Sequence, residues 1–127
     1  MLLVDEIDFD EETGVSVSKY TVPEDAIFVQ GHFPGNPIVP GVVLCEIMAQ
    51  GGNLVGRPYT EGMLTLYAGI NSAKFKGVVR PGDTVVTTAR LANVHLPLIV
   101  VTAEGRVNGK LCCKGEFSFI LTDKPTE

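Results

Sequence analysis

From residue 63 onward, hydrophobic and β-branched side chains recur in short runs separated by polar or glycine-containing turns. Runs of this length, rich in Val, Thr, Phe and Leu, are typical of β-strands. The pattern predicts strands at residues 63–70, 73–79, 84–94, 98–107 and 110–121. Asn108-Gly109 is a strong signal for a two-residue hairpin, and residues 81–83 mark another turn. We therefore expect an antiparallel sheet from the second half of the chain.

The first half contains two shorter strand patterns and one long apolar run. Residues 2–9 and 15–22 are predicted to be strands, joined by a polar turn at residues 10–14. An apolar stretch begins at Pro40-Gly41 and continues to about residue 54. It is too long for a buried strand and rich in Leu, Met, Ala and Glu, so it predicts a helix. Its end is expected to be loose, because Gly51 and Gly52 weaken the last turn.

A helix that is apolar on nearly every side must be covered on every side. A curved antiparallel sheet wrapped around the helix does this. The pattern therefore predicts an α+β protein with the hotdog fold. The 127 residues fit a single domain, 1–127, with no repeat and no internal linker.

Composition and charge exclude several classes of protein. The net charge of −5 disfavours nucleic-acid binding, which needs clustered surplus Lys and Arg. No apolar run reaches the roughly 18 residues of a membrane-spanning helix, and the acidic start does not resemble a signal peptide. Three cysteines, two of them adjacent, do not form a disulfide framework. We therefore expect a reduced, cytoplasmic protein, and the 45% hydrophobic content suggests an apolar interface between subunits.

Two titratable residues lie in or beside the apolar run. Glu46 interrupts the apolar side chains of the predicted helix, and it is either a surface glutamate on one exposed stripe or a buried glutamate satisfied by a hydrogen bond. A carboxyl group withdrawn from water holds its proton more readily, which suits a proton donor at neutral pH. His32 lies in a loop rich in Pro and Gly, where it is either bonded to the backbone or acts as a general base. His95, in a predicted strand, is expected to be structural or exposed.

The start of the predicted helix is a candidate anion site. Pro40 has no N–H group, so Gly41 and Val42 present the first free backbone donors. The helix dipole favours negative charge at this end. Gly41 also allows a ligand to approach the backbone closely. A thioester carbonyl bound there would become a stabilised enolate when its α-proton is removed, although Pro-Gly also begins helices with no such role.

The stretch that carries these residues reads GHFPGNPIVPGVVLCEIMAQ, residues 31–50. It resembles the signature of the β-hydroxyacyl-acyl carrier protein dehydratases of dissociated bacterial fatty acid synthesis, in which a Glu follows the His by fourteen residues, as Glu46 follows His32. Residues 2–7 (LLVDEI), 67–75 (YAGINSAKF) and 79–85 (VRPGDTV) are also similar to the family. The resemblance covers nearly the whole chain.

The resemblance implies dehydration of (3R)-hydroxyacyl chains on phosphopantetheine, without a metal or redox cofactor. His32 and Glu46 are then the catalytic pair, and the Gly41 N–H polarises the carbonyl. Either member of the pair could be the acid. Gln50, Phe33 and Pro34 are expected to support the site. The helix carries a Glu where the dehydratase-isomerase relatives typically carry an Asp, so isomerase activity is less expected. The acyl tunnel is expected to be lined by residues such as Ile27, Phe28, Leu44 and Met48.

The resemblance also implies partners. Lys74, Lys76 and Arg80 form a basic cluster that either is an ordinary solvated face or steers the acidic acyl carrier protein, and Arg57 would extend it. Relatives suggest a homodimer and a trimer of such dimers. We expect the active site to be shared, with His32 of one chain facing Glu46 of the other.

Two features depart from the family pattern. Family members usually carry a Pro-His-Arg-rich segment before the first strand, and Gly51-Gly52 replace residues that usually continue the helix.

Three rival functions fit parts of the sequence. An acyl-thioesterase on the same fold would use Glu46 near the thioester. A non-catalytic acyl-binding subunit would have a degraded site, whereas His32 and Glu46 are both present. A reactive-thiol protein would use Cys45 or Cys113, but nothing near either cysteine resembles an activated Cys-His pair.

Overall fold

The computed structural model describes residues 2–25, 38–53, 55 and 63–123. One helix, α1 (Gly41–Gly51), packs against six strands. The strands are β1 (Glu6–Asp10), β2 (Val15–Thr21), β3 (Met63–Phe75), β4 (Thr84–His95), β5 (Leu98–Val107) and β6 (Lys110–Asp123). All neighbouring strands are antiparallel, in the order β1-β2-β4-β5-β6-β3. This is the predicted α+β hotdog fold.

The helix is buried on most of its surface. Its buried residues are Val43, Leu44, Cys45, Ile47, Met48, Ala49 and Gly51. They face inward-pointing side chains of the sheet, among them the fully buried Phe117, Ile99 and Val101. The less buried positions, Val42, Glu46 and Gln50, are four residues apart and therefore form one stripe along the helix. No helix within the described part of the chain is long and apolar enough to cross a membrane.

Strands 63–70 and 73–79 were predicted separately, and the structure joins most of them into β3. The register against β6 shifts between Tyr67 and Gly69 and again between Ile70 and Ser72. Such shifts let a strand continue through residues that do not favour extended pairing. After Phe75 the chain leaves the sheet, although Lys76 N–H still donates to Cys112 O at 2.7 Å. The predicted break at residues 71–72 therefore coincides with the second of two irregularities within one strand.

The end of the helix is tied to the sheet. Ser16 Oγ donates to Gly51 O at 3.0 Å, and Gly52 N–H donates to Met48 O at 2.9 Å. A side chain at Gly51 would collide with Ser18 Oγ, so the glycine permits this close approach. The helix end therefore contacts the sheet directly at Gly51, and the expectation that the two glycines weaken this end stays a prediction. The helix also ends at Gly51 rather than near residue 54.

Candidate active site

Helix α1 begins at a backbone donor site. Pro40 is the N-cap, with φ −61° and ψ 149°, and its carbonyl accepts hydrogen bonds from Val43 N–H at 3.0 Å and Leu44 N–H at 3.2 Å. The Gly41 N–H meets no acceptor among the residues that the structure describes. It is one of the first-turn donors that a helix leaves unsatisfied. A carbonyl oxygen with developing negative charge fits this position.

The ring of Phe75 covers the helix start. A Cβ atom added to Gly41 would lie 3.0 Å from Phe75 Cζ and 3.2 Å from Cε2. Phe75 ends β3 and is half exposed. A ligand that reaches the Gly41 N–H must therefore fit beside this ring.

Glu46 lies on the partly exposed stripe of the helix and lines a groove of about 680 Å³. Ala49 and Gln50 continue the helix side of this groove. The sheet side includes Tyr67 and Phe119, which are direct partners in the β3–β6 register, with ring centroids 5.5 Å apart. The groove therefore combines a carboxyl group with a largely hydrocarbon lining, as an acyl chain with a reacting polar group requires.

Burial keeps one tyrosine and two cysteines protonated at neutral pH. Burial, together with the charges of Glu46 and Cys45, raises the pKa of Tyr67 to about 12. Burial and the Glu46 charge also raise the pKa of Cys45, and burial is the main reason that the pKa of Cys113 is about 12. Thiols of this kind are poor nucleophiles, which argues against the hypothesis of a reactive-thiol protein.

Gln50 makes a contact that the sequence did not predict. Its Oε1 accepts a hydrogen bond from Leu3 N–H at 2.6 Å, so the helix is bonded to a segment 47 residues away. Its expected support of Glu46 stays a prediction. Leu44 and Met48 are buried in the core and do not line this groove, so their expected place in an acyl tunnel stays a prediction.

Several predicted site residues lie outside the described residues. These are His32, Phe33 and Pro34, together with Ile27, Phe28 and Arg57. Of the predicted docking residues, Lys74, Lys76 and Arg80 are exposed. Lys74 and Lys76 flank Phe75, and Val39 N–H donates to Val79 O at 2.7 Å, so this segment runs beside the start of the helix. His95 is exposed.

Sequence reasoning missed the lining residues Tyr67 and Phe119 and the contact of Phe75 with Gly41. Alternation shows which side chains share a face of a strand, but not the register between strands. Among the described residues, no three His, Cys, Asp or Glu side chains are grouped so that they could hold a metal ion.

A central helix, the antiparallel sheet that covers it and the groove beside Glu46 define a protein of the hotdog class. A thioesterase from Haemophilus influenzae has a similar structure, with a TM-score of 0.73 at 22% identity over 93% of this chain and 78% of that one. This similarity establishes the fold alone.

Sequence comparisons are more specific. The model of the ApeI-like family, described as ApeI dehydratase, matches residues 8–116. The 3-hydroxyacyl-acyl carrier protein dehydratase FabZ of Chloroflexus aggregans is 42% identical, over 99% of this chain and 88% of that protein. The FabZ of Lactococcus lactis subsp. cremoris is 40% identical over 94% of this chain and 84% of that protein. The chain belongs to this family of dehydratases.

Proposed function

We propose that this protein removes water from (3R)-hydroxyacyl chains on acyl carrier protein and releases trans-2-enoyl chains, as a hydro-lyase of fatty acid elongation. Membership of the dehydratase family supports this activity. The observation that carries it in the structure is the position of Glu46, a carboxyl group at the side of a largely apolar groove. We also propose that residues 1–127 form one such domain.

The proposed mechanism uses three groups. The Gly41 N–H binds the thioester oxygen and makes the α-carbon more acidic. His32 removes the α-proton, and the electron pair forms the new double bond. Glu46 gives its proton to the β-hydroxyl group, which leaves as water. Hydration of the product uses the same groups in reverse.

The two edges of the sheet support a homodimer. β1 is five residues long and carries Glu6, Asp8 and Asp10, features that discourage pairing with another strand. β3, at the opposite edge, has 13 residues and exposes Leu66 and Ile70, each 47% accessible. We propose that β3 pairs with its copy in a second subunit, and that three such dimers associate.

The dimer completes the active site in this proposal. Glu46 is five residues past Gly41, which is roughly 7 Å along the helix axis at 1.5 Å per residue. A catalytic group on the loop before Gly41 need not reach back to Glu46 of its own chain. We place His32 of the partner subunit opposite Glu46, with the reciprocal pair at the second site.

The partner protein is proposed to dock beside Phe75. Lys74, Lys76 and Arg80 are exposed near the start of the helix, and an acidic carrier protein would be attracted to them. Delivery at this point would bring the thioester close to Gly41. The three cysteines are free and buried, as expected in a reducing compartment, and this supports a cytoplasmic location.

One assay tests the activity and separates it from that of a thioesterase. The purified protein is incubated with (3R)-hydroxyacyl carrier protein, and enoyl-thioester absorbance and free thiol are recorded together. Absorbance should rise while the thiol stays constant. Release of thiol without enoyl product would show a thioesterase instead, and no change in either would contradict both activities.

A further inference from the structure

The segment before β1 forms one side of the groove beside Glu46. Leu2 and Val4 line the groove, and Ile7, at the start of β1, continues the same surface. Tyr67 and Phe119 line its sheet side. We call residues 2, 4 and 7 the N-terminal wall.

The N-terminal wall is attached to the rest of the fold by its intervening residues. The Leu3 side chain is 1% exposed and lies in the core, while Leu3 N–H donates to Gln50 Oε1. Asp5 N–H donates to Lys19 O at 2.8 Å. Leu2 and Val4 lie on either side of the buried Leu3 in the chain, and both line the groove. The wall is therefore fixed relative to helix α1 through Gln50.

Gln50 also connects the N-terminal wall to Glu46, the proposed proton donor. It follows Glu46 by four residues, which is about 6 Å along the helix at 1.5 Å per residue. When the β-carbon of a substrate lies at Glu46, the rest of its acyl chain is a hydrocarbon tail that needs an apolar binding site. The groove offers that tail the Leu2, Val4 and Ile7 side chains on one side and two aromatic rings on the other.

We propose that the N-terminal wall selects the length of the acyl tail, and that Gln50 is a positioning residue that sets the distance between this wall and Glu46. The inference rests on the proposed dehydratase function. A tail that reaches the wall gains apolar contact, while a short tail ends before it. One methylene in an apolar pocket changes specificity by about tenfold or more, so the wall can separate substrates that differ by several carbons.

The test compares kcat/KM for 3-hydroxydecanoyl and 3-hydroxybutyryl carrier protein. Val4→Phe fills the groove and should lower the decanoyl-to-butyryl ratio at least about tenfold. Val17→Phe is the matched control, since Val17 lies in β2 on the outer face of the sheet, and should keep the wild-type ratio. An unchanged ratio in Val4→Phe, or an equal change in Val17→Phe, would overturn the proposal.

The role of Gln50 has its own pair of variants. Gln50→Met removes the acceptor for Leu3 N–H, so hydrogen exchange of the Leu3 amide should become faster. The decanoyl-to-butyryl ratio of kcat/KM should also change severalfold. Gln50→Glu keeps an acceptor oxygen and should restore both slow exchange and the ratio, whatever its effect on the overall rate. Slow exchange or a wild-type ratio in Gln50→Met would refute the positioning role. If the wild-type protein dehydrates neither substrate, the proposed function itself fails, which is a different result.

Discussion

The aromatic ring of Phe75 rests against Gly41, so close that a methyl group on Gly41 would lie 3.0 Å from its Cζ atom. This contact joins the last residue of β3 to the first residue of α1. It brings the end of the edge strand, the basic residues beside it and the open helix terminus to one place. In the proposed mechanism, the thioester carbonyl binds at that place.

Gly41→Ala should separate stability from activity. Ala is a better helix former than Gly by about 1 kcal/mol, so the melting temperature should stay within a few degrees of wild type. The methyl group would crowd Phe75 beside the proposed carbonyl site, and kcat/KM should fall about 10²-fold, as when one oxyanion-hole donor is lost. Adding Phe75→Leu removes the ring contact but leaves the methyl group. Full recovery of activity in the double variant would show that the ring, rather than the carbonyl site, caused the loss.

Glu46→Gln should keep the fold and lose most of the activity. The amide has nearly the same shape but cannot act as an acid, and general acid catalysis contributes about 10²–10⁴-fold. Circular dichroism and thermal unfolding report the fold, and enoyl absorbance reports turnover. Turnover near the wild-type rate would remove Glu46 from the mechanism.

The sequence predicted the fold well where side-chain periodicity alone decides it. Three strands of the second half lie close to their predicted positions, and the Asn108-Gly109 turn has φ values of 51° and 81°, as a type I′ hairpin requires. Residues 71 and 72 were predicted to separate two strands, because pattern reasoning does not foresee that a register shift carries one strand past Asn71.

The candidate site was only partly predictable, for a related reason. The helical period places Glu46 and Gln50 on one stripe, and the structure agrees. The contact between Gln50 and Leu3 joins residues 47 positions apart and leaves no local signal in the sequence. The pairing of Tyr67 with Phe119 likewise depends on the register of β3 against β6. His32 lies outside the described residues, so its role stays a prediction.

The three exposed basic residues near the start of the helix should affect binding of the carrier protein and leave the chemical step unchanged. Lys74→Glu, Lys76→Glu and Arg80→Glu together should raise KM for the carrier-linked substrate about tenfold or more at low salt, and the effect should shrink as salt is added. A small pantetheine thioester should be used almost as well as before. Lys19→Glu, on β2 near the other edge of the sheet, is the control. Equal losses with both substrates would place the cluster at the active site or in the folding of the protein.

Alkaline pH should destabilise the protein through Cys113. Burial raises the pKa of this thiol from its ordinary value of 9.0 to about 12. Its contribution to stability is therefore complete below pH 9.0 and is lost as the pH rises toward about 12, at up to about 1.4 kcal/mol per pH unit. Denaturant titrations across this range should show a shallower pH dependence in Cys113→Ala than in wild type. If the free energy of unfolding depends on pH equally in both proteins, the raised pKa is not that of Cys113.

In the proposed dimer, Glu46 and His32 of the partner subunit form one catalytic pair. His32→Ala and Glu46→Gln chains, each inactive alone, are unfolded together in equal amounts, refolded and assayed for enoyl product. Random pairing makes half of the dimers mixed, and each mixed dimer then has one intact site and one doubly altered site. About a quarter of wild-type activity should therefore return. If the mixed dimers form and no activity returns, each site is built within a single chain and the claim is wrong.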